Sequence, residues 1–482
     1  MPENLENQTI CRKCVGESYL SSEINSLGKV RKCHYCGGKR RCFTLAQMAE
    51  RIEAAFEQHY VWTSSEPADW EYGLMRDSES DYEWEREGEP TEEAIRDATE
   101  VPEAAAADLQ QLLEEKYFDR DSAKCGEETP FSAQAHYTDR PWDVRVWRER
   151  WQAFELSLQT EARFFNRSAY DLLESTFRGL EKMRTRNNRS IIVSAGPGTN
   201  LTEIYRARCC QSDEELKTVL ALPDRELGPP PPHLARAGRM NAEGISVFYG
   251  ANGPETAITE VRPPVGSRVT VARFEILRRL HLLDLQALKE MVCHGSIFDP
   301  NFADRGERAV FLRSLNELLA SPVLPERERF EYLPTQAIAD FLATENSPPL
   351  DGIIFPSVQS DGKALNMALF HKASKVEEYE LPKGTKIEVA LERHYEEGPE
   401  EEYQVTEELP PETQPLDRRI SDHDFLLDAV SDLGTVPTSF LPVTLRIDLD
   451  SVRVHTIHAV SLAMHDEGVS RHQWRRQERP EF

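Results

Sequence analysis

The chain has 482 residues, 39% hydrophobic and 29% charged, and 84 acidic side chains against 57 basic ones give a formal net charge of -27. The length allows two or three domains. The acidic balance excludes the basic footprint that sequence-independent nucleic-acid binding needs, and no apolar run approaches the roughly 20 residues that span a bilayer.

Residues 1–14 hold no apolar stretch of the secretory kind, so a cytoplasmic, reducing setting is expected. Five of the nine cysteines lie in residues 1–42. Cys11-x2-Cys14 and Cys33-x2-Cys36 are separated by eighteen residues, a spacing at which two knuckles can each point two thiolates at one zinc ion. Gly37 and Gly38 allow the tight backbone of the second knuckle. Disulfides are the competing reading, and the reducing setting argues against them. Four thiolates leave no open coordination position, so the expected zinc is structural. His34 and Cys42 stand nearby as bystanders.

From Thr44 a helical period places Leu45, Met48, Ile52, Ala55 and Phe56 on one face. Residues 63–104 are acidic, with aromatic residues in no clean period, and read as surface loop. Helical patterns return at 104–116, 143–163 and 168–184. Trp147, Trp151, Phe154, Leu156, Phe164 and Phe165 are read as core of a helical bundle. The basic run at 178–189 reads as a solvated helix end rather than a nucleic-acid patch.

Residues 190–193 read as a strand running into Gly196-Pro197-Gly198, but the third glycine of a dinucleotide fingerprint is missing. Then comes Ile204-Tyr205-Arg206-Ala207-Arg208. On a strand its two arginines share one face, which suits a pyrophosphate gripped by guanidiniums. A charged, exposed sheet edge is the plainer alternative. The Pro229–232 run is a stiff loop. After Arg239, residues 245–249 form a short apolar strand, a Gly-rich turn follows, and Pro254 opens a helix. Glu260 lies on that helix beside Ala257, Ile258 and Val261, where a carboxylate needs a partner or a purpose.

Two strands are expected within 267–285 and a helix at 305–320. A further helix opening at Pro334 should pack on the sheet. Residues 350–357 form a buried strand that ends at Ser357, and Asp361-Gly362 turns the chain back. A strand at 385–391, an acidic linker at 395–416, a helix near 423–432 and an alternating strand pair at 440–458 complete the pattern.

Three ordered segments carry a family resemblance: IYRAR at 204–208, the stretch 238–261 with PETAITEV, and 350–370 with FPS and NMALF. Over roughly residues 190–375 the chain resembles the RES family, named for an arginine, a glutamate and a serine. Its members are NAD-degrading toxins related in fold to ADP-ribosyltransferases. The resemblance implies Arg206, Glu260 and Ser357 as the catalytic trio. It implies Tyr205, Arg208, Arg239 and Tyr249 around the NAD. By the same resemblance the helical region is similar to the HEPN-type domain often joined to RES domains. The Arg-x4–6-His signature of its nuclease members is absent from residues 1–190; Arg418 to His423 and Arg453 to His458 match only by accident, outside the helical domain.

The expected fold class is α+β: a zinc knuckle (1–42), a helical HEPN-like domain with an acidic insertion (43–188), and an ADP-ribosyltransferase-like mixed β-sheet domain (189–460). The sheet domain carries an insertion at 286–330, and a polar tail (461–482) ends the chain. The expected activity is cleavage of the nicotinamide–ribose bond of NAD by a glycohydrolase or phosphorylase, in a toxin or defence effector. Phosphate is a candidate co-substrate and an antitoxin a candidate inhibitor. The alternatives are ADP-ribosyl transfer to a protein and a non-catalytic interaction protein.

Overall fold

A computed structural model describes residues 5–77, 80–125, 127–161, 163–320, 323, 326–357, 364–395, 398–411, 441–461 and 466–473. The Asp361-Gly362 turn, the helix near 423–432 and much of the polar tail fall outside these. The chain divides into two compact units. The first takes in residues 1–192, 284–341 and 345–348; the second takes in 193–283, 342–344 and 349–482. Residues 286–330 therefore belong to the first unit, although they interrupt the sequence of the second.

The first unit opens with a small antiparallel sheet of Thr9–Cys11, Lys29–Lys32 and Lys39–Thr44, the last strand lying in the middle. Thr44 then caps the helix Leu45–His59 through a reciprocal pair with Gln47. The face read from the sequence is buried, with Leu45, Met48, Ile52, Ala55 and Phe56 all inside. Ala105, Leu109 and Leu113 of the helix Glu103–Tyr117 share that core.

Three readings of this unit need correction. Residues 63–104 contain the helices Asp69–Arg76 and Thr91–Thr99. In the second, Ala94 and Ile95 are buried beneath an otherwise charged surface, too narrow an apolar stripe to stand out by period. Trp147, Trp151 and Phe154 are core, and Trp147 stacks on Phe311 of the helix Phe302–Ala320. Phe164 and Phe165 are instead 82% and 101% exposed. They connect the helices Arg145–Thr160 and Arg167–Phe177, where no helical phase turns them inward, and Leu156 faces out as well. The third correction concerns Pro334, which lies inside the helix Glu328–Thr344 rather than at its start. The Phe341 ring of that helix packs beside Tyr170 and Phe177, within the first unit.

The second unit is built on an eight-stranded sheet. In chain order its strands are β1 (Ile192–Ala195), β2 (Glu203–Cys210), β3 (Phe248–Ala251), β4 (Arg268–Ile276), β5 (Leu280–Asp284), β6 (Gly352–Pro356) and β7 (Leu365–Leu369). After the hairpin of β8 (Lys386–Tyr395) and β9 (Gly398–Glu408), the edge strand β10 (Leu445–Thr456) completes it. The spatial order is β10-β4-β2-β3-β7-β6-β5-β1. Helix α1 (Asp213–Ala221) contributes Leu216, Val219 and Leu220 to the core of one face, with Ile204, Phe248 and Phe274. Helix α2 (Pro254–Glu260) contributes Ala257 and Ile258 to a smaller cluster with Tyr205, Ala207 and Val271. Phe248 and Phe274 meet edge to face at 5.0 Å between centroids, and full burial of such a ring is worth about 1.5–3 kcal/mol.

The mixture of helices and sheets makes the chain α+β. Residues 395–416 are not simply a linker, since β8 and β9 zip into a hairpin in which Tyr395 and Arg393 bond Glu402. The segment at 440–458 is one long strand that runs against β4, with an irregularity between Val271 and Arg273. Strand β3 begins at Phe248; before it, Ile245 is drawn into a turn on Ala242 and Ser246 bonds Pro230.

Candidate active site

The site is set by how β2 and β3 meet. They share a single register pair, Ala251 with Tyr205, whereas β3 pairs with β7 along its whole length. Gly250 allows the approach: a Cβ there would fall 2.3 Å from Ile204 Cγ2 and 2.9 Å from the Tyr205 carbonyl. Along this seam lies a cavity of about 300 Å³. Tyr205, Arg206, Tyr249, Glu260, Phe355 and Asn366 are among the residues that line it.

Glu260 is the last residue of α2. Its Oε1 accepts from Ser357 Oγ at 2.5 Å and from Asn366 Nδ2 at 2.7 Å. Ser357 and Asn366 are 2% and 5% exposed, so the carboxylate is held by donors that water hardly reaches. Ser357 is the first residue beyond β6, and its N–H bonds the Ala364 carbonyl. Asn366 sits near the start of β7, between Ala251 and Phe355.

Arg206 presents its guanidinium over the Phe248 ring at 5.0 Å, and its buried Nη1 has no partner. Burial pushes its pKa down to about 10, opposed by Tyr249 and reinforced by the Arg208 charge. Arg208 leaves the same strand face but is held by Glu226 and, at 3.2 Å, by Glu215, and it does not line the cavity. Tyr205 donates to Glu203, and burial followed by that carboxylate raises its pKa. The Tyr249 hydroxyl accepts from Met240 N–H and donates to Asn241 Oδ1. Asn241 in turn bonds the carbonyls of Arg236, Ala242 and Ile245, so the loop carrying Arg239 hangs on the Tyr249 ring. Arg239 itself is half-buried and is not among the lining residues.

One cavity is thus lined by a fixed carboxylate, an arginine whose buried Nη1 has no partner, and two tyrosines. Such a set can hold an anion at one end and stabilise a developing cation at the other. Asn366, Phe248 and Phe355 were not singled out by sequence reasoning. Asn366 did carry a signal: a polar side chain between Leu365 and Met367 in a buried strand needs a partner.

At the N-terminus the sulfur atoms of Cys11, Cys14, Cys33 and Cys36 all lie within 4.8 Å of one another. Neighbouring pairs stand at 3.8, 3.6 and 3.8 Å. A tetrahedron with zinc–sulfur bonds of about 2.3 Å has edges of about 3.8 Å, so the cluster fits a zinc knuckle. The Cys11 N–H also donates to Cys33 Sγ at 3.3 Å. Cys42 is turned away, its thiol directed at the carbonyls of Arg31 and Arg40.

Residues 204–392 match the model of the RES domain family. The chain carries a RES domain. It begins within β2 and ends within β8, enclosing Arg206, Glu260, Ser357 and Asn366. The RES match also spans residues 284–341, which pack in the first unit. No curated protein and no solved structure matches the chain. Among the described residues no helix is long and apolar enough to cross a membrane.

Proposed function

We propose that this chain is an enzyme that breaks the nicotinamide–ribose bond of NAD, in keeping with its RES domain. The observation that supports the reading is the Glu260 carboxylate, fixed through one oxygen by Ser357 and Asn366 on the cavity that Arg206 lines. NAD offers a pyrophosphate for Arg206, whose unpartnered Nη1 awaits an anion. Arg208, neutralised by Glu215 and Glu226, and Arg239, on the neighbouring loop, flank this grip from outside the cavity lining. The rings of Tyr205 and Tyr249 form an aromatic wall for the nicotinamide end.

As the bond lengthens, positive charge develops on the ribose, and the fixed Glu260 carboxylate stabilises it. Nicotinamide leaves as a neutral molecule, so no general acid is required and one carboxylate suffices. Ser357 orients Glu260 and the ribose. It does not act as a nucleophile, since its hydroxyl is bonded to a carboxylate rather than activated by a histidine. Water, phosphate or a protein side chain completes the reaction at the ribose carbon. Far from this chemistry in sequence, the four N-terminal cysteines hold one structural zinc ion, which ties the two knuckles together.

The test is NAD consumption and nicotinamide release, with and without phosphate, by the wild-type chain and by Glu260→Gln. The reading expects turnover by wild type and a loss of about 10²-fold or more in the variant. A phosphate requirement identifies phosphorolysis. Wild-type protein that leaves NAD intact under both conditions, and with protein acceptors added, overturns the enzyme reading in favour of an interaction module.

A further inference from the structure

Asn366 carries an inference beyond the arginine, glutamate and serine of the site. The orientation of its amide is fixed by chemistry: a carboxylate oxygen only accepts, so the nitrogen must face Glu260 Oε1. The other end, Oδ1, is then a buried acceptor with no hydrogen-bond partner. Native structures seldom leave such an atom unpaired in the interior unless something else supplies the donor. Oδ1 itself is shielded from water, but Asn366 is among the residues that line the cavity, which sets a molecule bound there beside its side chain. Glu260 is divided in the same way. Both protein donors fall on Oε1, and among the described residues none reaches Oε2.

We propose that Asn366 works in two directions, its amide nitrogen positioning Glu260 and its amide oxygen receiving a neutral donor of the ligand. That donor is a ribose hydroxyl or the carboxamide N–H of the nicotinamide. The proposal rests on the NAD reading. It makes Asn366 a positioning residue for the carboxylate and a specificity residue for the substrate.

The experiment compares wild type with Asn366→Asp and Asn366→Ala in steady-state NAD turnover, with thermal melting as a check on folding. The near-isosteric Asp variant keeps an acceptor but sets a second carboxylate against Glu260. Two carboxylates in one place resist joint ionisation, so the acid limb of its pH profile should move to higher pH and kcat should fall at least 10-fold. The other ionisable side chains lining the cavity are a guanidinium, Arg206, and two phenols, Tyr205 and Tyr249, so Glu260 is the one carboxylate there in wild type. The Ala variant should show a raised KM as well as a lowered kcat. Nicotinic acid adenine dinucleotide, which lacks the amide N–H, separates the two sources. If Asn366→Ala abolishes a wild-type preference for NAD over this analogue, the donor is the carboxamide; equal losses on both mark a ribose hydroxyl. Folded variants with unchanged kcat, KM and pH profile overturn the Asn366 assignment and leave the NAD reading standing. Wild type that does not turn over NAD overturns both.

Discussion

Ser357 donates its hydroxyl to Glu260 across 2.5 Å, although 97 residues separate the two in sequence. The bond ties the end of β6 to the end of α2, and Ser357 is shielded from bulk water. A hydrogen bond to a charged group contributes about 1.5–3 kcal/mol. Ser357→Ala should therefore lower kcat for NAD roughly 10- to 100-fold and leave KM nearly unchanged. Steady-state kinetics decide it, and a variant altered only in KM would refute the orienting role.

Arg206 is a charge held where charge is disfavoured. Its folded pKa lies near 10, below its ordinary value, so the burial penalty is fully present below about pH 10 and fades as the pH rises beyond it. Arg206→Met should consequently raise the melting temperature of the ligand-free chain, by roughly 2–4 °C for each kcal/mol relieved. ADP-ribose should stabilise wild type and not the variant. A variant that melts lower than wild type and still responds to ADP-ribose would show that Arg206 is paired rather than waiting.

Elemental analysis should find one zinc per chain. Cys14→Ser should release it, because one of four thiolates at tetrahedral spacing is lost. A strong chelator should lower the melting temperature of wild type and have little further effect on the variant. Protein that contains no zinc and ignores the chelator would mean that these cysteines serve as ordinary thiols.

Gly250→Ala should be destabilising by about 1–3 kcal/mol, since the added methyl meets Ile204 and the Tyr205 carbonyl well inside contact distance. Denaturant unfolding measures the loss. A neutral result would mean that the strands part more easily than their geometry implies.

The sequence makes some of this legible through short-range rules. The two CxxC pairs announce the sulfur cluster because ligand spacing is local. Alternation around Arg206 and the helix opening at Pro254 are equally local, and the structure keeps both. What the sequence conceals is long-range or negative. Nothing near Asn366 points to Glu260, 106 residues away. Phe164 and Phe165 look like core by composition and are exposed because they fall between helices. The helix that begins at Glu328 looks like a cover for the sheet, yet its Phe341 ring lies among aromatic neighbours of the N-terminal helices. Arg208 illustrates a third difficulty. A strand pattern gives the face of a side chain, but the carboxylates competing for it lie on later elements.

The seam between β2 and β3 also sets an evolutionary tension. A sheet gains rigidity from every rung it adds, yet here the rungs stop after Ala251 and Tyr205, and the reactive groups gather beside the interruption. Substitutions that stitched the two strands further together would harden the fold and shut the opening. Selection for robustness alone should therefore yield variants that endure heat and do nothing, and a working lineage has to keep its sheet unfinished at this one place.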